Sequence, residues 1–179
     1  MTVDCPFECI YLRESRRYDE RKPGPSPELA FPDIEISDAF LVEHEQLIGQ
    51  IGYQLLRLAL ENPRTTDNDI LGVLEKLVRT YQTLASGIYY ESLPEEGGQI
   101  SIFREMKKFL DEHQEQERKK GSVAPLREND LIRALVFLHR LATVRSNHRP
   151  LGRAFIDFLR ETYPQGARKE EPRVIVPGR

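Results

Sequence analysis

The chain has 179 residues, of which 39% are apolar and 31% charged, with a formal net charge of −3 and a mean hydropathy of −0.53. That length and apolar share suit one folded domain with a real core and well-solvated outer faces. They exclude a membrane-spanning chain, because no apolar run approaches the roughly 20 residues that cross a bilayer.

The opening MTVDCPFECIYLRESRR lacks the basic start and apolar stretch of a secretory leader, so a cytoplasmic location is expected. Cys5 and Cys9 are the only cysteines. They read as reduced thiols, and no second Cys or His pair at matching spacing completes a tetrahedral metal site. Residues 1–36 form an expected extended arm, because Pro23, Pro25, Pro27 and Pro32 with Gly24 prohibit a helix interior or a central strand. FECIYL near the start and RVIVP near the end are rich in β-formers. They are candidates for short strands that pair with each other or add to a partner's edge.

From Ser37 the pattern turns helical, and residues 37–164 read as an all-α domain, a bundle of about five helices, followed by an extended tail over 165–179. The first helix is predicted over about 38–62, capped by Ser37 or Asp38 and stopped by Pro63, with Leu41, Ile48, Ile51, Leu55 and Leu58 on one stripe. The second is predicted over 67–91 behind a Thr66 cap, with Asp67 and Asp69 favouring the positive end of its dipole. Its positions Ile70, Leu74, Leu77, Tyr81, Leu84 and Ile88 alternate steps of four and three. A second row at Leu71, Val78 and Ala85 broadens the face, which marks this helix as central.

The loop SLPEEGG leads to a third helix over 99–120, with Ile100, Phe103, Met106 and Leu110 inward and polar last turns ending at Gly121. A fourth spans 128–146, with Leu131, Leu135, Leu138 and Ala142 on one row and Ile132, Val136 and Leu141 nearby. A fifth is predicted over 150–163, opening at Pro150 and turning Leu151, Ala154, Phe155, Phe158 and Leu159 inward. Gly49, Gly52, Gly72 and Gly87 fall inside these helices. Gly49 and Gly52 flank the apolar stripe, which predicts close helix contacts there.

The catalytic inventory is thin. There is no nucleophile elbow, phosphate loop, dinucleotide fingerprint or HExxH, and none of the four histidines has Glu three residues before it. No cofactor, no metal and no catalytic residue is expected, and the chain reads as a non-enzyme. His44 continues the stripe of Ile51 and Leu58 and is expected to be buried and hydrogen-bonded. Tyr89 and Tyr90 are expected to pack their rings and wet their hydroxyls.

Charge is unevenly distributed. Arg127 to Arg168 contains eight arginines and four acids, a net +4, leaving −7 for the rest. Within this region Arg133, Arg140, Arg145, His148, Arg149 and Arg153 are the candidate anion- or partner-binding residues. Arg133 and Arg140 share one helix side, Arg153 and Arg160 another, and a hairpin would merge the rows into one basic surface. Three partners are expected for this cluster, in order: the chain's own carboxylates, another protein, and a phosphate backbone. The function expected is therefore protein–protein interaction or self-association without catalysis. Nucleic-acid or phosphate-ligand binding through the last two helices is the alternative.

Overall fold

The structure, a computed structural model, describes residues 30–119 and 126–164. All regular structure among the described residues is helical: α1 (Asp38–Glu43), α2 (Glu45–Glu61), α3 (Asp67–Ala85), α4 (Gly97–Lys119), α5 (Glu128–Arg145) and α6 (Ala154–Thr162). No helix is long and apolar enough to cross a membrane. FECIYL, RVIVP and both cysteines lie outside the described residues, as does most of the expected arm and tail.

Ser37 starts the helical part as expected, its hydroxyl accepting the Phe40 N–H at 3.2 Å. The predicted helix 38–62 then divides at His44, whose backbone sits at φ −109°, ψ 18° between α1 and α2. The cause is local. Both the backbone N–H of His44 (3.0 Å) and its ring Nδ1 (3.2 Å) reach the carbonyl oxygen of Phe40, so the side chain joins the helical ladder and bends it.

Thr66 caps α3 through a reciprocal pair with Asp69. The Thr66 hydroxyl accepts the Asp69 N–H, and the Asp69 carboxylate accepts the Thr66 N–H. Ile70, Leu74, Leu77 and Tyr81 are buried along the predicted seam. The expected continuation to residue 91 does not occur. Gly87 adopts φ +78°, its N–H donating to Leu84 O and the Ile88 N–H to Thr83 O, both at 2.9 Å. These two bonds make a Schellman motif, so Gly87 terminates the helix and Ile88 leaves the seam for solvent.

Beyond Gly87 the chain forms an extended ribbon, and this ribbon determines how α3 and α4 pair. Thr83 Oγ1 donates to Tyr90 O at 2.9 Å, and the Ser92 N–H donates to Thr80 Oγ1 at 3.0 Å, so the ribbon runs back along the helix it has just left. Gln99 Nε2 then donates to Asp69 at 3.2 Å, while Tyr81 OH donates to Asp111 at 2.8 Å. A constant offset of 30 residues between partners makes α3 and α4 parallel. Asp111 also accepts Lys107 Nζ at 2.7 Å, and Lys107 lies 3.4 Å from Glu91. Burial, followed by the facing Asp111 carboxylate, pushes the Tyr81 phenol up, so it stays a donor.

α5 returns antiparallel and packs most extensively on α3, burying Leu131, Leu135, Leu138 and Ala142 with Ile132 and Val136 beside them. The fifth predicted helix starts late. Pro150 and Leu151 belong to a turn, α6 opens only at Ala154, and Leu151, expected in the core, is 83% exposed. Each Leu or Ile that is fully buried contributes about 1.5–3 kcal/mol of transfer free energy, so Phe155, Ile156 and Leu159 suffice to hold so short a helix.

Candidate functional site

The turn between α5 and α6 contains three of the six predicted site residues, His148, Arg149 and Arg153, and one acid ties it to the start of α3. Asp67, wholly buried, accepts the N–H groups of Phe155 (3.1 Å) and Ile156 (3.2 Å), so it caps α6 from the start of α3. The Asp67 N–H in turn donates to Gly152 O at 2.8 Å. Arg153 completes the joint, its guanidinium donating to the carbonyls of Pro63 and Thr65, the latter at 2.7 Å. Inside the turn Asn147 Oδ1 accepts the Arg149 N–H at 3.1 Å, and a Cβ at Gly152 would collide with that amide oxygen. His148 takes φ +52°, a left-handed conformation that is uncommon outside glycine though less so for His, and its N–H donates to the Ser146 hydroxyl at 3.2 Å.

The six predicted residues therefore separate. Arg140 donates to the carbonyls of Ala30 (3.2 Å), Phe31 (2.8 Å) and Ile34 (2.9 Å), clamping the segment before α1 onto α5. Arg133 stacks over Phe40 at 5.7 Å and lies 4.0 Å from Asp130. Arg145 stacks over Phe158 at 4.5 Å while remaining exposed. The two expected rows do not merge into one open surface, because Arg140 and Arg153 face the protein itself. Their partners are carbonyls rather than the carboxylates ranked first from the sequence. A planar guanidinium carries several donors at fixed angles, and irregular backbone supplies the acceptors. Arg145 at the end of α5 and His148 and Arg149 in the turn that follows are exposed.

The chain matches no protein-family model, no curated protein and no solved structure.

Regions elsewhere also have the exposure or the volume to receive a ligand or partner. A polar cleft of about 630 Å³ opens beside the break at His44, lined among others by Ser37, His44, Gln50, His113, Asp130 and Arg133. His44 is half-buried rather than buried, its ring stacked on Phe40 with centroids 4.3 Å apart. Ser37, His44 and Asp130 are the residue types of a hydrolytic triad, but their bonding is not. The Ser37 hydroxyl is engaged as a helix cap, and His44 Nε2 stands 4.0 Å from Asp130, beyond hydrogen-bond range. No group of three His, Cys, Asp or Glu residues that would hold a metal occurs among the described residues.

Another such region is the ribbon itself. Tyr89 is 95% exposed, and Ile88, Tyr90 and Leu93 also project into solvent. Contrary to the sequence expectation, these tyrosine rings are not packed. The backbone behind them is anchored by the bonds to Thr80 and Thr83, so the apolar groups are displayed from a fixed base.

Sequence reasoning missed two groups. Asp67 was read as a dipole-favouring residue of its own helix, and a cap delivered to a helix some 88 residues later leaves no local pattern. His139 is buried with Nδ1 unpartnered, edge-on to Phe31 at 5.8 Å. Burial pulls its imidazole below the ordinary value; Glu75 opposes the shift and Arg140 adds to it. Its place on the α5 apolar row, four after Leu135, was the available signal.

Proposed function

We propose that the chain is a non-enzymatic helical bundle that acts by binding another protein, and that residues 88–93 are the segment it presents. The observation that carries this reading is the anchored ribbon with four large apolar side chains in solvent. Aromatic anchors of this kind dominate the energetics of protein interfaces, and an anchored backbone reduces the ordering entropy lost on binding. An isolated exposed apolar residue needs no explanation, but contiguous ones do.

The test is site-specific photocrosslinking in the native host, with the full chain carrying a benzoylphenylalanine at Tyr89 or, as control, at Glu115 on the polar end of α4. A discrete protein adduct at position 89 that is absent at position 115 is expected. Absence of adducts at position 89 overturns the reading.

A second reading rests on the exposed Arg145, His148 and Arg149, flanked by no acid between Val144 and Arg153. Such a patch suits a phosphate backbone. Affinity for duplex or single-stranded nucleic acid that falls steeply with salt would support it, and no binding at low salt would remove it.

A further inference from the structure

The α3–α5 pair has two unlike ends. At the C-terminal turn of α3 stand the exposed Ile88, Tyr89 and Tyr90, together with the carboxylates of Asp33, Glu35 and Glu128, while Glu91 is already paired with Lys107. At the N-terminal turn of α3, fixed there by the bond between Asp67 and Gly152, stand the exposed Val144 and Leu151 among Arg145, His148 and Arg149. Arg64, exposed in the loop that Arg153 clamps, belongs to the same end. α3 has 19 residues, so about 28 Å of helix separates the two patches. Neither can reach the other within one chain.

The acidic end also holds a receptacle. A groove of about 640 Å³ lies between segment 33–35 and the ends of α3 and α5, lined by Asp33, Ile34, Glu35, Ala85, Ile132 and Arg133. Ile34, Ala85 and Ile132 supply its apolar lining among the polar side chains of Gln82, Ser86 and Asn129, and the carboxylates of Asp33 and Glu35 are exposed beside it. The segment is held in place by the hydrogen bond from Arg140 to Ile34 O. Arg133, the basic member, is already stacked on Phe40 beside Asp130. At the opposite end Leu151 projects from a turn whose shape is fixed by Asn147, Gly152 and Asp67.

We infer that the occupant of the acidic end is a second copy of this chain, docked head to tail, with Leu151 seated in the groove and Arg145 and Arg149 facing Asp33 and Glu35. The inference rests on the protein-binding reading above and names its partner. Three features point to it: opposite charge at the two ends, apolar side chains exposed at both, and a projecting turn opposite a fixed groove. Because the joined surfaces differ, a joined pair still carries one unused end of each kind, one on each copy. The assembly therefore grows as open chains, or closes as a ring where the rotation permits.

The experiment uses the purified full chain and two sets of exposed substitutions that remove charge without reversing it, R145Q/R149Q/L151S for one end and D33N/E35N/Y89S for the other. Sedimentation velocity and light scattering over a concentration series are expected to show wild-type oligomers that shrink as salt rises, since the rim charges are screened. Each variant alone is expected to be monomeric. Their equimolar mixture should give a dimer and nothing longer, because each partner contributes its one intact end. Circular dichroism and thermal melts matching wild type exclude misfolding as the cause, and the single changes L151S and E35N serve where a triple variant fails that check.

A wild type that stays monomeric to about millimolar concentration overturns the proposal, as does a dimer that survives the changes at one end, because a symmetric interface would then be at work. If the wild type is monomeric while the adduct at position 89 persists, the protein-binding reading survives and this inference falls.

Discussion

At the scale of single residues, the protein depends on polar groups that serve distant backbone. Asp67 satisfies two amides at the start of α6, and removing it leaves both buried without partners. Asp67→Ala is expected to lower stability by about 2–4 kcal/mol, as read from the urea midpoint, with Asp67→Asn milder because one oxygen remains. His139 has a pH signature of its own. Burial holds its folded-state imidazole below the value near 6.5 that the unfolded chain shows, so between those two values the unfolded state binds more protons. The stability it contributes is complete above about pH 6.5 and is lost as pH falls below that value. Urea melts at pH 7.5, 6.5 and 5.5 should show a steeper decline for wild type than for His139→Leu, and parallel declines would assign the acid sensitivity elsewhere. The role of Asp67 was not legible beforehand, because tertiary packing alone brings its partners to it, whereas the burial of His139 could be read from its place on the α5 apolar row.

At the scale of elements, much was legible where local chemistry decides. Ser37 and Thr66 cap as their side chains predict, and the α3 seam is buried from Ile70 to Tyr81. Boundaries failed where one residue had two available roles. Gly87 reads equally as a tolerated helix glycine or as a terminator, and its φ of +78° is a property of the folded chain. Pro150 resembles a helix opener but sits in a turn, because the capping carboxylate arrives from Asp67 four residues further on. The parallel pairing of α3 and α4 was also hidden, since short connections favour antiparallel neighbours and only the ribbon's bonds to Thr80 and Thr83 reveal the return path. The glycines now separate into classes. A Cβ at Gly49 would sit 3.9 Å from the Tyr163 hydroxyl, ordinary contact, whereas at Gly52 it would meet the same ring at 3.0–3.2 Å. Gly49→Ala should therefore gain up to about 1 kcal/mol from helix propensity, and Gly52→Ala should gain less or lose, as Tyr163 is displaced. Gly87→Ala should lose about 1 kcal/mol for its left-handed backbone. Thermal melts of the three variants give the order directly.

At the scale of the whole molecule, composition foretold a helical protein with a basic C-terminal half. It could not foretell that two of the suspected arginines would serve as internal clamps, because the sequence does not place the carbonyls they hold. Arg140 binds the carbonyls of Ala30, Phe31 and Ile34, and Phe31 is held there at φ +57°. Arg140→Lys keeps the charge and loses the fork. It is expected to cost about 1–2 kcal/mol and to accelerate proteolytic cleavage between Ala30 and Ile36, an effect that limited proteolysis with mass spectrometry will locate. The joint at Asp67 also governs how the chain comes apart. A nine-residue helix is too short to persist by itself in water, so α6 exists only while the first turn of α3 is in place to receive it. Opening α6 separately would strand the Asp67 carboxylate, and opening α3 would release α6. The amides of Phe155 and Ile156, though near the end of the described chain, are thereby bound to the slowest hydrogen-exchange class, that of the central helix, rather than to the fraying of a terminus.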